Sequence, residues 1–308
     1  MDVTVLAGGV GAARFLEGLV QVVPQERITV ISNTGDDEDF FGLRVSPDID
    51  TVIYTLAGAI DPAHGWGLAS ETYQALDALR RFGYETWFSL GDADMATHAF
   101  RTRLLRDGAT LSEATARIAA AFGLGLRLLP VSDDRIRTLV ETDAGTLTFQ
   151  EYFVKRRTED EVRAVRFEGI DAAAPAPGVL DAIATAGAVI VAPSNPVVSI
   201  GPLLAVRGVR DALRATAASI VAVSPIVGGR TIKGPADRMM ASLGMTPTAA
   251  GVAGAYADFL DVLVIDEEDR ALAPAVESAG VRAAVTQTIM RGPAEKRALA
   301  EAVLAAVQ

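Results

Sequence analysis

Apolar residues in this chain come in short bursts that end in glycine or in acid, and the bursts alternate with helical spacing. Residues 3–6 read as a buried strand that breaks into Gly8-Gly9-Val10-Gly11. Phe15, Leu16, Leu19 and Val23 then repeat at helical intervals, and Pro24 closes the run. Residues 28–32 form a second strand, which opens into Asn33-Thr34-Gly35-Asp36-Asp37-Glu38-Asp39. Helices are predicted over 51–56, 70–81 (capped by Gly83), 95–106 (with Asp94 as N-cap and Gly108 beyond its end) and 112–122. Residues 126–167 switch to β-like runs with a hairpin turn at Asp143-Ala144-Gly145, and 172–178 read as a connector. Strands then return at 188–192, 219–223, 262–265 and 281–285, before a C-terminal helix over 293–307. Pro235 suits the first turn of a helix after the Gly228–Gly229 loop. This rhythm predicts an α/β, Rossmann-like, doubly wound and mostly parallel sheet. Residues 1–50 and 176–308 make the nucleotide-binding core, and 51–175 form an inserted helical and β subdomain that binds the acceptor.

Composition narrows the classes. A chain of 308 residues, half of them hydrophobic and 22% charged, buries a substantial core and is not disordered. With no cysteine there is no disulfide, thiolate nucleophile or zinc–thiolate site, which fits a cytoplasmic location. No signal peptide is visible, and no apolar run approaches the ~18 residues of a membrane span. A net charge of −11 speaks against non-specific nucleic-acid binding.

The chemistry sits in the loops that follow strands, at the ligand-binding edge of a parallel sheet. Gly8, Gly9 and Gly11 let the backbone approach a ligand, and the amides that open the next helix favour an anion. Arg14 lies one helical turn further on, within reach of a phosphate. Arg14 also stands where a dinucleotide fingerprint has its third glycine, and no Gly-Lys-Ser/Thr follows to make a Walker loop. A plain strand-to-helix turn is the bland alternative. Asp36, Asp37, Asp48 and Asp50 offer hard oxygen ligands for Mg²⁺ beside a bound phosphate; a solvated turn at 37–39 and an N-cap at Asp50 are the alternatives. The two histidines, His64 and His98, lie near Trp66, which offers a stacking surface, and near Asp92; Thr97, His98 and Arg101 can share one helix face. Ser194-Asn195-Pro196 and the 228–234 stretch with Arg230 and Lys233 end two further strands and offer polar groups for a nucleotide.

Taken in order, these segments resemble the phospholactyl or phosphoenolpyruvyl transferases of deazaflavin coenzyme F-420 biosynthesis. The likeness is carried by 6–16, Asn33-Thr34-Gly35-Asp36-Asp37, Ser46-Pro47-Asp48-Ile49-Asp50-Thr51 and Leu90-Gly91-Asp92, then by Ala96-Thr97-His98, 192–196, Ser224-Pro225-Ile226 and Asp258-Phe259-Leu260-Asp261. The resemblance implies a Mg²⁺-dependent transfer of a three-carbon phospho-acid from a guanylyl-activated donor to the ribityl hydroxyl of the deazaflavin Fo, with release of GMP. It implies donor contacts at Gly8, Gly9, Gly11, Arg14, Asn33, Ser194, Asn195 and Pro196, and metal ligands among Asp36, Asp37 and Asp50. Asp50 and Asp36 are the expected catalytic groups. Asp50, Trp66, Asp92, Thr97, His98 and Arg101 are expected on the acceptor, in a homodimer. The family commonly has Gly-Asp-Arg-Asp where this chain has Gly91-Asp92-Ala93-Asp94, so Arg101 or Arg103 is expected to replace the missing cation. Two rivals share the glycine turn: a non-catalytic nucleotide-sugar sensor of a related family, and a nicotinamide-dependent oxidoreductase.

Overall fold

A computed structural model describes residues 1–307. Seven parallel strands form the central sheet: β1 (Val3–Ala7), β2 (Ile28–Ser32), β3 (Arg127–Pro130), β4 (Ala188–Val191), β5 (Ser219–Val223), β6 (Val262–Asp266) and β7 (Arg282–Thr286). Their spatial order is β7-β6-β5-β4-β1-β2-β3, so the winding direction reverses between β1 and β4. Open α/β sheets bind ligands at that switch point, beyond the carboxyl ends of the strands.

Alternation along each strand divides the core. Val3, Val5 and Ala7 of β1 face a layer containing Phe15, Ile49 and Leu299, whereas Leu6 faces Ile200, Leu203 and Val252 on the other side. The first layer is built by α1 (Gly9–Leu19), which packs between α2 (Pro47–Leu56) and the C-terminal helix Pro293–Ala306. Strands buried on both faces in this way read as continuous apolar runs, which is how β4 and β5 appear in the sequence.

The insertion departs from expectation at its boundary. Strand β3, counted with residues 51–175, pairs with β2 as the edge of the central sheet. Two pieces therefore leave the core. The first holds α3 (Gln74–Arg81) and α4 (Asp92–Arg106), whereas α2 and α5 (Leu111–Ala121) pack into the core layer of the sheet. The second holds an antiparallel three-stranded sheet made of Arg137–Thr142, Gly145–Thr148 and Val162–Glu168, with the expected turn at 143–145. Among the described residues, no helix is long and apolar enough to cross a membrane.

Helix starts also differ. Helix α2 begins at Pro47 after Ser46, so Asp50 lies inside its first turn and is not an N-cap. Helix α4 begins at Asp92 after Gly91, which removes the capping role from Asp94. The Glu71 carboxylate explains this shift: it accepts the free amides of Ala93 (2.9 Å) and Asp94 (2.7 Å) from a distant part of the chain.

Candidate active site

A cavity of about 520 Å³ opens at the switch point, between the carboxyl edge of the sheet and both inserted pieces. Its floor is the glycine turn. Gly9 has φ +74°, a left-handed conformation that a side chain disfavours. Gly11 passes so close to the loop after β4 that a Cβ there would stand 2.2 Å from the Pro193 carbonyl oxygen. This close approach brings Ser194 under the turn, where its Oγ accepts from the Gly8 amide at 3.3 Å. Gly8, Gly9, Gly11, Arg14, Ser194 and Asn195 all line the cavity. Pro196 does not line it.

The acid loop meets the glycine turn directly. Asp36, Asp48 and Asp50 line the same cavity, each at least nine-tenths buried. The Asp48 carboxylate takes hydrogen bonds from the Asn33 amide group (2.9 Å) and the Gly9 backbone N–H. Asn33 is thus a supporting residue behind Asp48, and its own side-chain oxygen accepts the Gly35 amide at 2.8 Å. Burial pushes the Asp48 carboxyl up to about 6, against the bonds from Asn33 and Gly9. Asp36 is raised well above the ordinary range, first by burial, then by the neighbouring charges of Asp48 and Asp37. One Asp36 oxygen, Oδ1, is buried without a hydrogen-bond partner. Two crowded carboxylates, one with an orphaned oxygen, form a donor set that suits a divalent cation.

The other expected metal ligands are engaged by neighbouring side chains. Asp37 turns away from the cavity and accepts the Ser46 hydroxyl at 2.7 Å. It is buried, not part of a solvated turn, and desolvation pushes its carboxyl up to about 7. Glu38 and Asp39 belong to a small hairpin, with Asp39 paired to Arg44 and Arg135. Asp50 lines the cavity, but both its oxygens are held from behind by Arg101. Among the described residues, no group of three or more His, Cys, Asp or Glu side chains assembles as a metal cage.

The acceptor-side expectations divide in the same way. Trp66 and His98 line the cavity; Asp92, Thr97 and Arg101 do not. The Asp92 carboxylate accepts from the Thr72 hydroxyl (2.5 Å) and the backbone amides of Gln74 (3.0 Å) and Ala75 (2.9 Å), so it caps α3. Thr97 is buried inside α4. Neither Arg101 nor Arg103 places a cation in the cavity; Arg103 is exposed and pairs with Asp107 at 2.6 Å. The cations that line it are Arg14, Lys233 and Arg291.

Sequence reasoning left several lining residues without a role. Asp94 and Tyr54 lie beside His98: the Tyr54 hydroxyl donates to Asp94 Oδ1 at 2.6 Å, and His98 Nε2 lies 3.1 Å from the same oxygen. Burial and the adjacent carboxylates raise the Tyr54 hydroxyl far above its ordinary range, so it remains a donor. Spacing carried a signal here, since Asp50 and Tyr54, like Asp94 and His98, are four apart on one helix face. Phe88 from one part of the insertion, and the stacked pair Phe149 and Phe153 from another, add an apolar wall, and no local pattern marks Phe88 as a neighbour of that pair.

Comparison with known proteins places this geometry in a family. A family profile described as 2-phospho-L-lactate transferase CofD matches residues 3–303. A phosphoenolpyruvate transferase of Streptomyces griseus is 47% identical over 296 residues, covering 94% of this chain and 93% of the relative. A 2-phospho-L-lactate transferase of Methanosarcina mazei is 38% identical over 302 residues, covering 98% of this chain and 99% of that one. Among solved structures, protein BH3568 from Bacillus halodurans superposes with a TM-score of 0.65 at 17% identity, covering 98% of this chain and 99% of its own. At that identity the likeness concerns the fold alone. With the whole sheet and both insertions inside the matched range, the chain belongs to the 2-phospho-L-lactate transferase CofD family.

Proposed function

We propose that this protein transfers a phospho-three-carbon-acid group, 2-phospholactyl or phosphoenolpyruvyl, from a guanylyl-activated donor to the ribityl hydroxyl of Fo. The acceptor oxygen bonds to the phosphorus that carries the three-carbon unit. The bond from that phosphorus to the bridging oxygen breaks, and GMP leaves with the electron pair. The observation that carries the reading is the meeting of the glycine turn with Asp36 and Asp48 in one cavity, whose other wall is aromatic. Greater identity to the Streptomyces griseus phosphoenolpyruvate transferase than to the Methanosarcina mazei enzyme favours the enolpyruvyl donor.

In this reading the amides of the glycine turn and the Arg14 guanidinium hold the donor diphosphate. Asp36 and Asp48 would hold Mg²⁺, which neutralises phosphate charge when bound. Trp66, Phe88 and Phe149 offer flat apolar surface to the deazaflavin ring. Asp50 orients the acceptor hydroxyl and takes up its proton as the new bond forms. Transfer of this kind rests on alignment and charge stabilisation, with no covalent nucleophile, and the chain has no cysteine to supply one. Exposed Phe82 and Tyr84 on the insertion supply apolar surface for the second copy of a homodimer.

The test is incubation with Fo, Mg²⁺ and either guanylyl donor, followed by mass analysis. The reading expects an Fo adduct heavier by the phospho-acid, together with one equivalent of GMP. GMP without an adduct, or neither product from either donor, overturns it.

A further inference from the structure

Arg101 is the largest fully buried side chain among the described residues. A buried guanidinium is costly unless its donors are met. Here its Nη1 donates to Asp50 Oδ2 at 3.0 Å and its Nη2 contacts Asp50 Oδ1, while its Nε has no hydrogen-bond partner. Nη1 also lies 3.2 Å from His98 Nδ1 and 3.4 Å from the Arg44 carbonyl. Asp50, His98, Asp94 and Tyr54 all line the cavity, while Arg101 sits behind them and does not.

The chemistry of a guanidinium fixes what its neighbours must be. It has donors only, so His98 Nδ1 has to present a lone pair toward it. The ring proton of neutral His98 therefore belongs on Nε2, which lies 3.1 Å from Asp94 Oδ1 but off the line of a hydrogen bond. Asp94 also receives the Tyr54 hydroxyl. Within the row Asp50, Arg101, His98, Asp94, Tyr54, the guanidinium thus sets which His98 nitrogen stays bare. Asp50 keeps lone pairs for the cavity side, in an orientation set by a two-pronged contact that a lysine cannot reproduce.

We infer that Arg101 is a positioning residue: from behind the cavity wall it aims the Asp50 carboxylate at the acceptor hydroxyl and fixes His98 as its Nε2–H tautomer. The role assigned to Asp50 rests on the proposed function; the tautomer does not.

Two measurements test this. First, ¹⁵N NMR of the whole protein reads the His98 ring directly; the chain has two histidines, and His64→Gln assigns the other. Wild type is expected to show protonated Nε2 and bare Nδ1, and Arg101→Met to lose that single form. A protonated Nδ1 in wild type overturns the inference. Second, kinetics with Fo and the guanylyl donor are compared for Arg101→Lys, Asp50→Asn and the double variant. Arg101→Lys is expected to lower kcat about 10–100-fold and Asp50→Asn about 10²–10⁴-fold, each with KM for Fo within about threefold. The double variant is expected within about threefold of the worse single variant, because Arg101 acts through Asp50. Multiplying losses, or a raised KM at unchanged kcat, would mean that Arg101 works independently of Asp50, and would overturn the assignment. Should Arg101→Met fail to fold, the wild-type spectrum and Arg101→Lys still decide. A wild type that transfers nothing to Fo but shows the expected tautomer removes the acceptor reading and supports the geometry around Arg101.

Discussion

Replacing Asp48 by asparagine should make the metal-free protein more stable and the working protein inactive. Asp48 and Asp36 are both buried against the glycine turn, and the Asp48 carboxyl is pushed up to about 6 from 3.8. A group that holds its proton more tightly when folded destabilises the native state once the unfolded chain ionises. The sign is therefore fixed: metal-free stability falls as pH rises from about 4 through about 6, and the penalty is full above that. At 1.36 kcal/mol for each pH unit of displacement, the upper bound is about 3 kcal/mol, and relaxation of a buried pair brings it to about 1–3 kcal/mol. For a chain of 308 residues the unfolding entropy is roughly 0.65 kcal/mol/K, so Asp48→Asn should raise Tm by about 2–5 °C at pH 8. The Asn33 amide can still donate to the new side-chain oxygen, so that bond need not be lost. Mg²⁺ should raise the Tm of wild type, since the proposed pair exists only in the folded chain, and should leave Asp48→Asn unmoved. Differential scanning fluorimetry in chelated buffer, with and without Mg²⁺, reads both effects. A lower Tm for Asp48→Asn in chelated buffer, or an undiminished response to Mg²⁺, would refute the reasoning.

Asp50→Asn should keep GDP affinity, measured by calorimetry, and lower the transfer rate by about 10²–10⁴-fold; near-normal turnover would remove Asp50 from the reaction. Arg14→Ala should weaken GDP binding about 10–100-fold, and the wild-type advantage should shrink as salt is raised from 50 to 500 mM. Gly11→Ala forces a Cβ against the Pro193 carbonyl and should cost about 1–3 kcal/mol in denaturant unfolding, with loss of GDP binding. Trp66→Ala should raise KM for Fo at least about threefold while leaving GDP affinity unchanged, as competition binding would show.

What the sequence made legible followed from local forces. The run Ser219–Val223 is a strand because every position is apolar or small and both faces are covered. The switch-point cavity follows from two such strands ending in Gly8-Gly9 and Pro193-Ser194. Long-range contacts decided the rest. The start of α4 depends on Glu71 supplying its carboxylate to amides more than twenty residues away. Strand β3 falls within the β-like runs read at 126–167, but its place at the edge of the central sheet is set by pairing with β2. Within the acid loop, adjacent carboxylates of equal promise separated by direction: Asp36 turns to the cavity and Asp37 to Ser46. In Pro47-Asp48-Ile49-Asp50, proline at the first helical position sets the phase. That phase puts Asp48 against the Gly9 amide and Asp50 against Arg101.

In the proposed mechanism a metal and a diphosphate sit together at the glycine turn. Crystals grown with GDP and Mn²⁺, measured at the manganese edge, locate both at once. An anomalous peak within about 2.5 Å of Asp36 and Asp48 oxygens, with phosphate oxygens on the Val10 and Gly11 amides, is the predicted result. Manganese bound away from both carboxylates, or GDP phosphates at the far end of the cavity from the glycine turn, would contradict it.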